Sequence, residues 1–192
     1  MTDDIQKLRK ETGAGIMDVK NALLEAKGDY QNAKDVLRKR GAAIALKKMA
    51  REAKEGVIVS YIHSGGKIGV LLKLYCETDF VARTQEFQDL ARDIAMHVAA
   101  MDPSYISRED IPKDVLDKEK EIYKEQIKDS GKSADITSKI IDGKIDRFVS
   151  EVSLLGQVFI KDQDKTIAKL IEEGIAKLGE NIQVGEFIRY EL

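Results

Sequence analysis

The sequence predicts an α+β fold: a three-helix N-terminal bundle followed by a helix-rich core with a small antiparallel sheet. Three observations carry this prediction. Apolar-periodic segments broken by glycines fill residues 1–41, and two strand-like runs flank a Gly-Gly turn at Gly65 and Gly66. Beyond that turn the apolar spacing switches to a helical period that recurs almost to the C-terminus.

In the first segment, Ile5 and Leu8 precede Gly13. Val19, Ala22, Leu23 and Ala26 precede Gly28, and Ala33, Val36 and Leu37 precede Gly41. A glycine just past a periodic run is a stop signal, and Asp29 stands where the third helix needs an N-cap. Residues 1–41 therefore read as a small helical domain, marginal alone for want of core. Residues 42–55, "AAIALKKMAREAKE", continue as a connecting helix carrying Lys47, Lys48, Arg51 and Lys54. Residues 56–192 make the α+β core domain.

Within the core, "GVIVSYI" and "KIGVLLKLYC" flank "HSGGK", a hairpin signal. Phe87, Leu90, Ala91, Ile94, Ala95, Val98 and Ala99 then share one helical face, with Thr84 placed to cap it, and that helix should lie on the sheet. Pro103 and Pro112 punctuate the next stretch. There "SYI" reads as a short edge strand before a charged helix from about Lys113 to Lys128, ended by Gly131. Ile136, Ile140, Ile141, Ile145, Phe148, Val149 and Val152 form another amphipathic run that reaches "SLLGQVF". A last helix spans Thr166 to Leu178 and stops at Gly179, and the Val, Phe, Ile and Tyr of "IQVGEFIRYEL" suit a final strand.

Composition narrows the function. Across 192 residues, 32 Lys and Arg stand against 34 Asp and Glu, and a net charge of -2 gives no strong global pull towards nucleic acid or acidic membranes. The single cysteine, Cys76, cannot form an internal disulfide, which points to a reducing compartment such as the cytoplasm. The start "MTDDIQKLRKETG" lacks the apolar core of a signal peptide, and no apolar run reaches membrane-spanning length, so a soluble protein is expected.

Catalytic chemistry finds little support. His63 beside the hairpin turn and His97 inside a helix are the two histidines, neither within a motif, and both read as surface or packing residues. "HSGGK" lacks the spacing and the following helix of a phosphate-binding loop, so a plain hairpin turn fits better. No serine elbow, zinc spacing or dinucleotide fingerprint occurs, and no covalent chemistry, metal or cofactor is expected.

The segment "CETDFVA" at residues 76–82 raises a different question, because it sets Asp79 and Phe80 side by side on what should be a connecting loop. On the residues alone, Asp79 would satisfy turn amides and Phe80 would tuck under the following helix. Three separated motifs, "LRKETGAGIMDVKNAL", "CETDFVA" and "KLGENIQVGEFIRYE", resemble the elongation factor Ts family. The likeness extends through "EGVIVSYI" and "LLGQVFIKD" and so covers nearly the whole chain. Ile16 stands where the family often has Met, Val19 where it often has Cys, and "LLGQVF" where it often has "LLEQPF".

The resemblance implies a guanine nucleotide exchange factor that binds elongation factor Tu with GDP and releases the nucleotide, with no direct nucleic-acid or membrane partner. It implies a wedge of Thr78, Asp79, Phe80 and Val81 inserted near the partner's magnesium site, and an N-terminal contact surface of Leu8, Ile16 and Met17. It also implies a short form with about one core unit, lacking the second subdomain of longer members, so exposed sheet would be covered by a second copy in a homodimer. Two alternatives stay open. One is RNA binding through Arg38 to Lys54, with seven basic residues and one acid but no interleaved aromatics. The other is a peptide-binding adaptor, since the "TGAG" bundle also looks like ubiquitin-associated domains.

Overall fold

The computed structural model describes residues 2–128 and 133–192, so the expected stop at Gly131 lies outside the described residues. Helices α1 (Thr2–Thr12), α2 (Ile16–Glu25) and α3 (Tyr30–Lys48) form the N-terminal bundle. Its core is Leu8, Val19, Ala22, Leu23, Ala33 and Leu37. The Asp29 carboxylate accepts the Asn32 N–H at 2.8 Å and so caps α3 as expected.

Helix α3 does not stop at Gly41, and the separate connecting helix becomes its last turns, followed by an irregular stretch before residue 55. The reason lies in packing. A β-carbon at Gly41 would come within 3.2 Å of Ala176 Cβ on α8 (Ile167–Leu178), so the glycine lets the two helices approach closely. Ala45, one turn on, is buried in the core of the remaining chain. Interior glycine costs a helix about 1 kcal/mol, and helix-on-helix burial outweighs that here.

Strands β1 (Glu55–Ile62), β2 (Ile68–Cys76) and β3 (Gln183–Glu191) make an antiparallel sheet in the order β1-β2-β3. The β1–β2 turn places Gly65 and Gly66 in left-handed backbone, φ +94° and +70°, and closes with the His63 N–H on the Ile68 carbonyl at 2.9 Å. "HSGGK" is thus a hairpin turn. The β2–β3 register slips at Lys73 and Leu74, leaving room for Gly185, where any side chain would run into the Tyr75 ring.

Helix α5 (Gln85–Met101) lies across the inner sheet face. Phe87, Leu90, Ala91, Ile94, Ala95 and Val98 meet Val70, Leu72, Leu74 and Cys76, and Ile167, Ile171 and Ile175 of α8 complete the core. Burying each large side chain here contributes about 1.5–3 kcal/mol. Thr84 accepts the Phe87 N–H at 3.3 Å as the cap of α5. "SYI" supplies one parallel bridge, Tyr105 to Ser153, and no strand. Beside that bridge, α6 (Lys113–Ile127) and α7 (Ala134–Val152) form an outlying pair with a small core of Ile111, Ile141, Ile145 and Val149.

The outer sheet face is different. Cross-strand register puts Ile58, Ile62, Leu71, Ile188 and Tyr190 on it, all exposed, with Lys73 and Glu186 paired at 2.6 Å among them. Among the described residues, no helix is long and apolar enough to cross a membrane.

Candidate functional site

The segment after β2 is no irregular loop. Residues Asp79–Ala82 form a single helical turn, α4, capped by Thr78. Thr78 is extended, and its hydroxyl oxygen accepts the Val81 N–H at 3.4 Å. That hydroxyl donates to Glu180 Oε1 at 2.7 Å. Glu180 Oε2 accepts the backbone N–H groups of Glu77 and Thr78 at 3.1 and 3.0 Å. The Cys76 thiol donates to the Thr78 carbonyl at 3.1 Å. Burial first, and the Glu180 charge second, push its pKa up to about 11, so the sulfur keeps its proton at neutral pH.

From this base the turn divides by side. Ala82 is buried and Val81 packs against the main core, whereas Phe80 is 78 % exposed. The reading in which Phe80 tucks under the following helix is therefore wrong: capping at Thr78 and anchoring at Val81 and Ala82 rotate position 80 into solvent. Asp79 points outward too and pairs with Arg83 at 2.8 Å. Such an exposed pair contributes about 1 kcal/mol at most, so Asp79 can exchange Arg83 for another donor at small cost. An aromatic ring and an acid thus stand together on a pinned, protruding turn.

The N-terminal residues behave unequally. Ile16 and Met17, at the start of α2, are 54 % and 63 % exposed. Leu8 is fully buried between the three helices, because so small a bundle needs its long apolar side chains inside. Leu8 offers no surface to a partner, and its assignment to the contact surface is corrected to core packing.

Ile16 and Met17 on α2 and Phe80 on α4 lie on separate elements, and the base of α4 is tied to the end of α3. Glu77 Oε1 accepts the Asn181 N–H at 2.7 Å, and Glu77 Oε2 lies 3.4 Å from Arg51 Nη1. Asn181 Nδ2 donates to the carbonyls of Met49 and Arg51 at 3.3 and 2.6 Å, and Lys48 donates to the Gly179 carbonyl. Gly179, at φ +79°, ends α8 in left-handed backbone, and the two residues after it face α4 and the end of α3. The sequence alone assigns no role to Glu77, Glu180 or Asn181. The available signal was the "GEN" that follows the helix stop in the third motif.

The two histidines stand apart from this site. His63 lies in the exposed hairpin turn, its Nδ1 3.3 Å from the Tyr61 hydroxyl, and His97 is buried in α5.

Residues 3–192 match the family described as "Elongation factor TS". The chain is 56% identical over 188 residues to a protein named "Elongation factor Ts" from Fervidobacterium nodosum, covering 98% of this chain and 95% of the relative. A protein of that name from Thermosipho melanesiensis is 55% identical over 186 residues, covering 97% and 95% of the two chains. Another from Geobacter metallireducens is 50% identical over 188 residues, covering 98% and 87%.

Proposed function

The chain belongs to the elongation factor Ts family, and we propose from that premise that it binds elongation factor Tu carrying GDP and speeds nucleotide release so that GTP can follow. The observation that carries this reading is the exposed Phe80 beside Asp79 on a turn whose base is fixed by Thr78, Val81 and Ala82. A rigid protrusion can transmit force to a partner, whereas a floppy one would fold back.

Magnesium holds near-octahedral oxygen geometry and tolerates little distortion. In the proposed mechanism Phe80 enters the partner as an apolar wedge and Asp79 competes for donors or redirects backbone near the partner's magnesium. The ion and the bound diphosphate would then be held less tightly. No covalent step is involved. The N-terminal bundle docks through Ile16 and Met17, which are apolar and exposed. The proposed setting is the cytoplasm, supported by a single cysteine that is buried and unbridged.

The test is release of fluorescent GDP from elongation factor Tu with and without this protein. Acceleration at substoichiometric amounts supports the reading, and an unchanged rate at saturating amounts rejects it.

A further inference from the structure

A single helical turn cannot hold its own direction, because four residues lie below the length at which helix formation becomes cooperative. The aim of α4 is therefore set by its anchors. On the inner side these are Val81 and Ala82, which pack into the core. On the outer side the anchor is Glu180, which is distant in sequence. All three of its hydrogen bonds go to two consecutive residues, the N–H of Glu77 and the N–H and hydroxyl of Thr78. Among the described residues no cation pairs with this partly buried carboxylate, so those three donors are what offset its desolvation.

The placement is directional. Thr78 is the cap of α4, and fixing both its amide and its hydroxyl fixes where the next two side chains, Asp79 and Phe80, point. The same stretch of chain holds the end of α3, through Asn181 Nδ2 on the Met49 and Arg51 carbonyls. One dipeptide, Glu180 and Asn181, thus ties the protruding turn and the root of the N-terminal bundle to a common point.

We propose that Glu180 is a positioning residue for nucleotide exchange, acting through Thr78 to hold Asp79 and Phe80 in the orientation that enters the partner. This rests on the exchange-factor reading above. A residue that only positions the wedge lowers the maximal stimulated rate and loses its influence when the wedge side chains are gone. A residue that only supports the fold lowers the melting temperature and acts alike in both backgrounds.

The experiment measures fluorescent GDP release from elongation factor Tu over a range of factor concentrations, for wild type, Glu180→Ala, Glu180→Gln and Asp79→Ala/Phe80→Ala, and for Glu180→Ala added to that double variant. Glu180→Ala is expected to lower the maximal rate about tenfold, the scale of losing charge-assisted hydrogen bonds, with a smaller change in half-saturating concentration. Glu180→Gln keeps one oxygen acceptor and should fall between. In the Asp79→Ala/Phe80→Ala background the further loss should nearly vanish. A wild-type maximal rate for Glu180→Ala, or the same loss in both backgrounds, overturns the proposal.

Amide hydrogen exchange of the free protein separates this result from the reading beneath it. Faster exchange at Glu77, Thr78 and Val81 in Glu180→Ala supports the anchoring whatever elongation factor Tu does, and unchanged protection there refutes it. Failure of the wild type to accelerate GDP release refutes the exchange-factor reading instead. If Glu180→Ala does not fold, Glu180→Gln carries both measurements.

Discussion

His97 is fully buried in α5, and its Nε2 lies 2.9 Å from Oε1 of Gln157. The other ring nitrogen, Nδ1, accepts the Ile160 N–H at 3.3 Å, while Gln157 Nε2 donates to the Glu151 carbonyl at 2.7 Å. These donors fix the neutral tautomer with its proton on Nε2. A second proton on Nδ1 would face the Ile160 N–H.

Burial accordingly lowers the His97 pKa from its ordinary 6.5, and the Gln157 hydrogen bond opposes it only in part. The unfolded chain therefore binds a proton before the folded one does. Stability from this residue is present above the unfolded value of about 6.5 and is lost as pH drops towards the lowered folded value. Melting curves between pH 8 and pH 5 should show His97→Gln less stable at pH 8 but flatter than wild type below pH 6.5. Parallel curves would mean that other groups carry the acid sensitivity.

Much of the fold was legible because its signals are local. The Gly-Gly turn, the caps Asp29 and Thr84, and the apolar face of α5 each depend on residues within a few positions. Gly41 misled for the opposite reason. As a local signal it marks a helix end, but its role is set by Ala176 on a distant helix. The candidate site splits likewise. "CETDFVA" announced itself, yet the Glu180–Thr78 link spans 102 positions and no periodicity encodes it. Leu8 sat in a recognisable motif, but only the bundle's packing reveals it as core.

Residues 1–41 are proposed to strengthen docking as a unit. Removing residues 1–40 deletes α1, α2 and half of α3 but leaves Ala45 and the α3 end that Asn181 holds. The remaining chain should melt in one transition, and its affinity for elongation factor Tu should fall about tenfold or more with the loss of Ile16 and Met17. Unchanged affinity by titration calorimetry would remove any docking role from the bundle.

The outer sheet face is proposed to pair with a second copy of this chain. Ile58, Ile62, Leu71, Ile188 and Tyr190 leave an apolar surface around the Lys73–Glu186 pair, and a symmetric partner would cover it with its own. Sedimentation at roughly tens of micromolar, a range suited to a weak interface, should show dimer for wild type and monomer for Leu71→Glu. Wild type sedimenting only as monomer would count against the pairing.

The proposed role of Asp79 and Phe80 follows from linkage. A factor that weakens GDP binding to elongation factor Tu must itself be held more weakly when GDP is bound, so exchange is a coupling free energy between two sites. Residues of the wedge contribute mainly to that coupling, and residues elsewhere on the interface mainly to docking of the nucleotide-free partner. Phe80 is exposed and Asp79 is held by one exposed ion pair, so neither supports the fold, and alanine at either position should leave the melting curve nearly unchanged. Both variants should slow stimulated GDP release, and Phe80→Ala should also weaken affinity by about 2 kcal/mol as the loss of an aromatic anchor. Stopped-flow release at saturating factor separates the two effects, because weaker docking alone is overcome by concentration. If both variants reach the wild-type maximal rate there, the turn is a docking surface and the wedge mechanism fails.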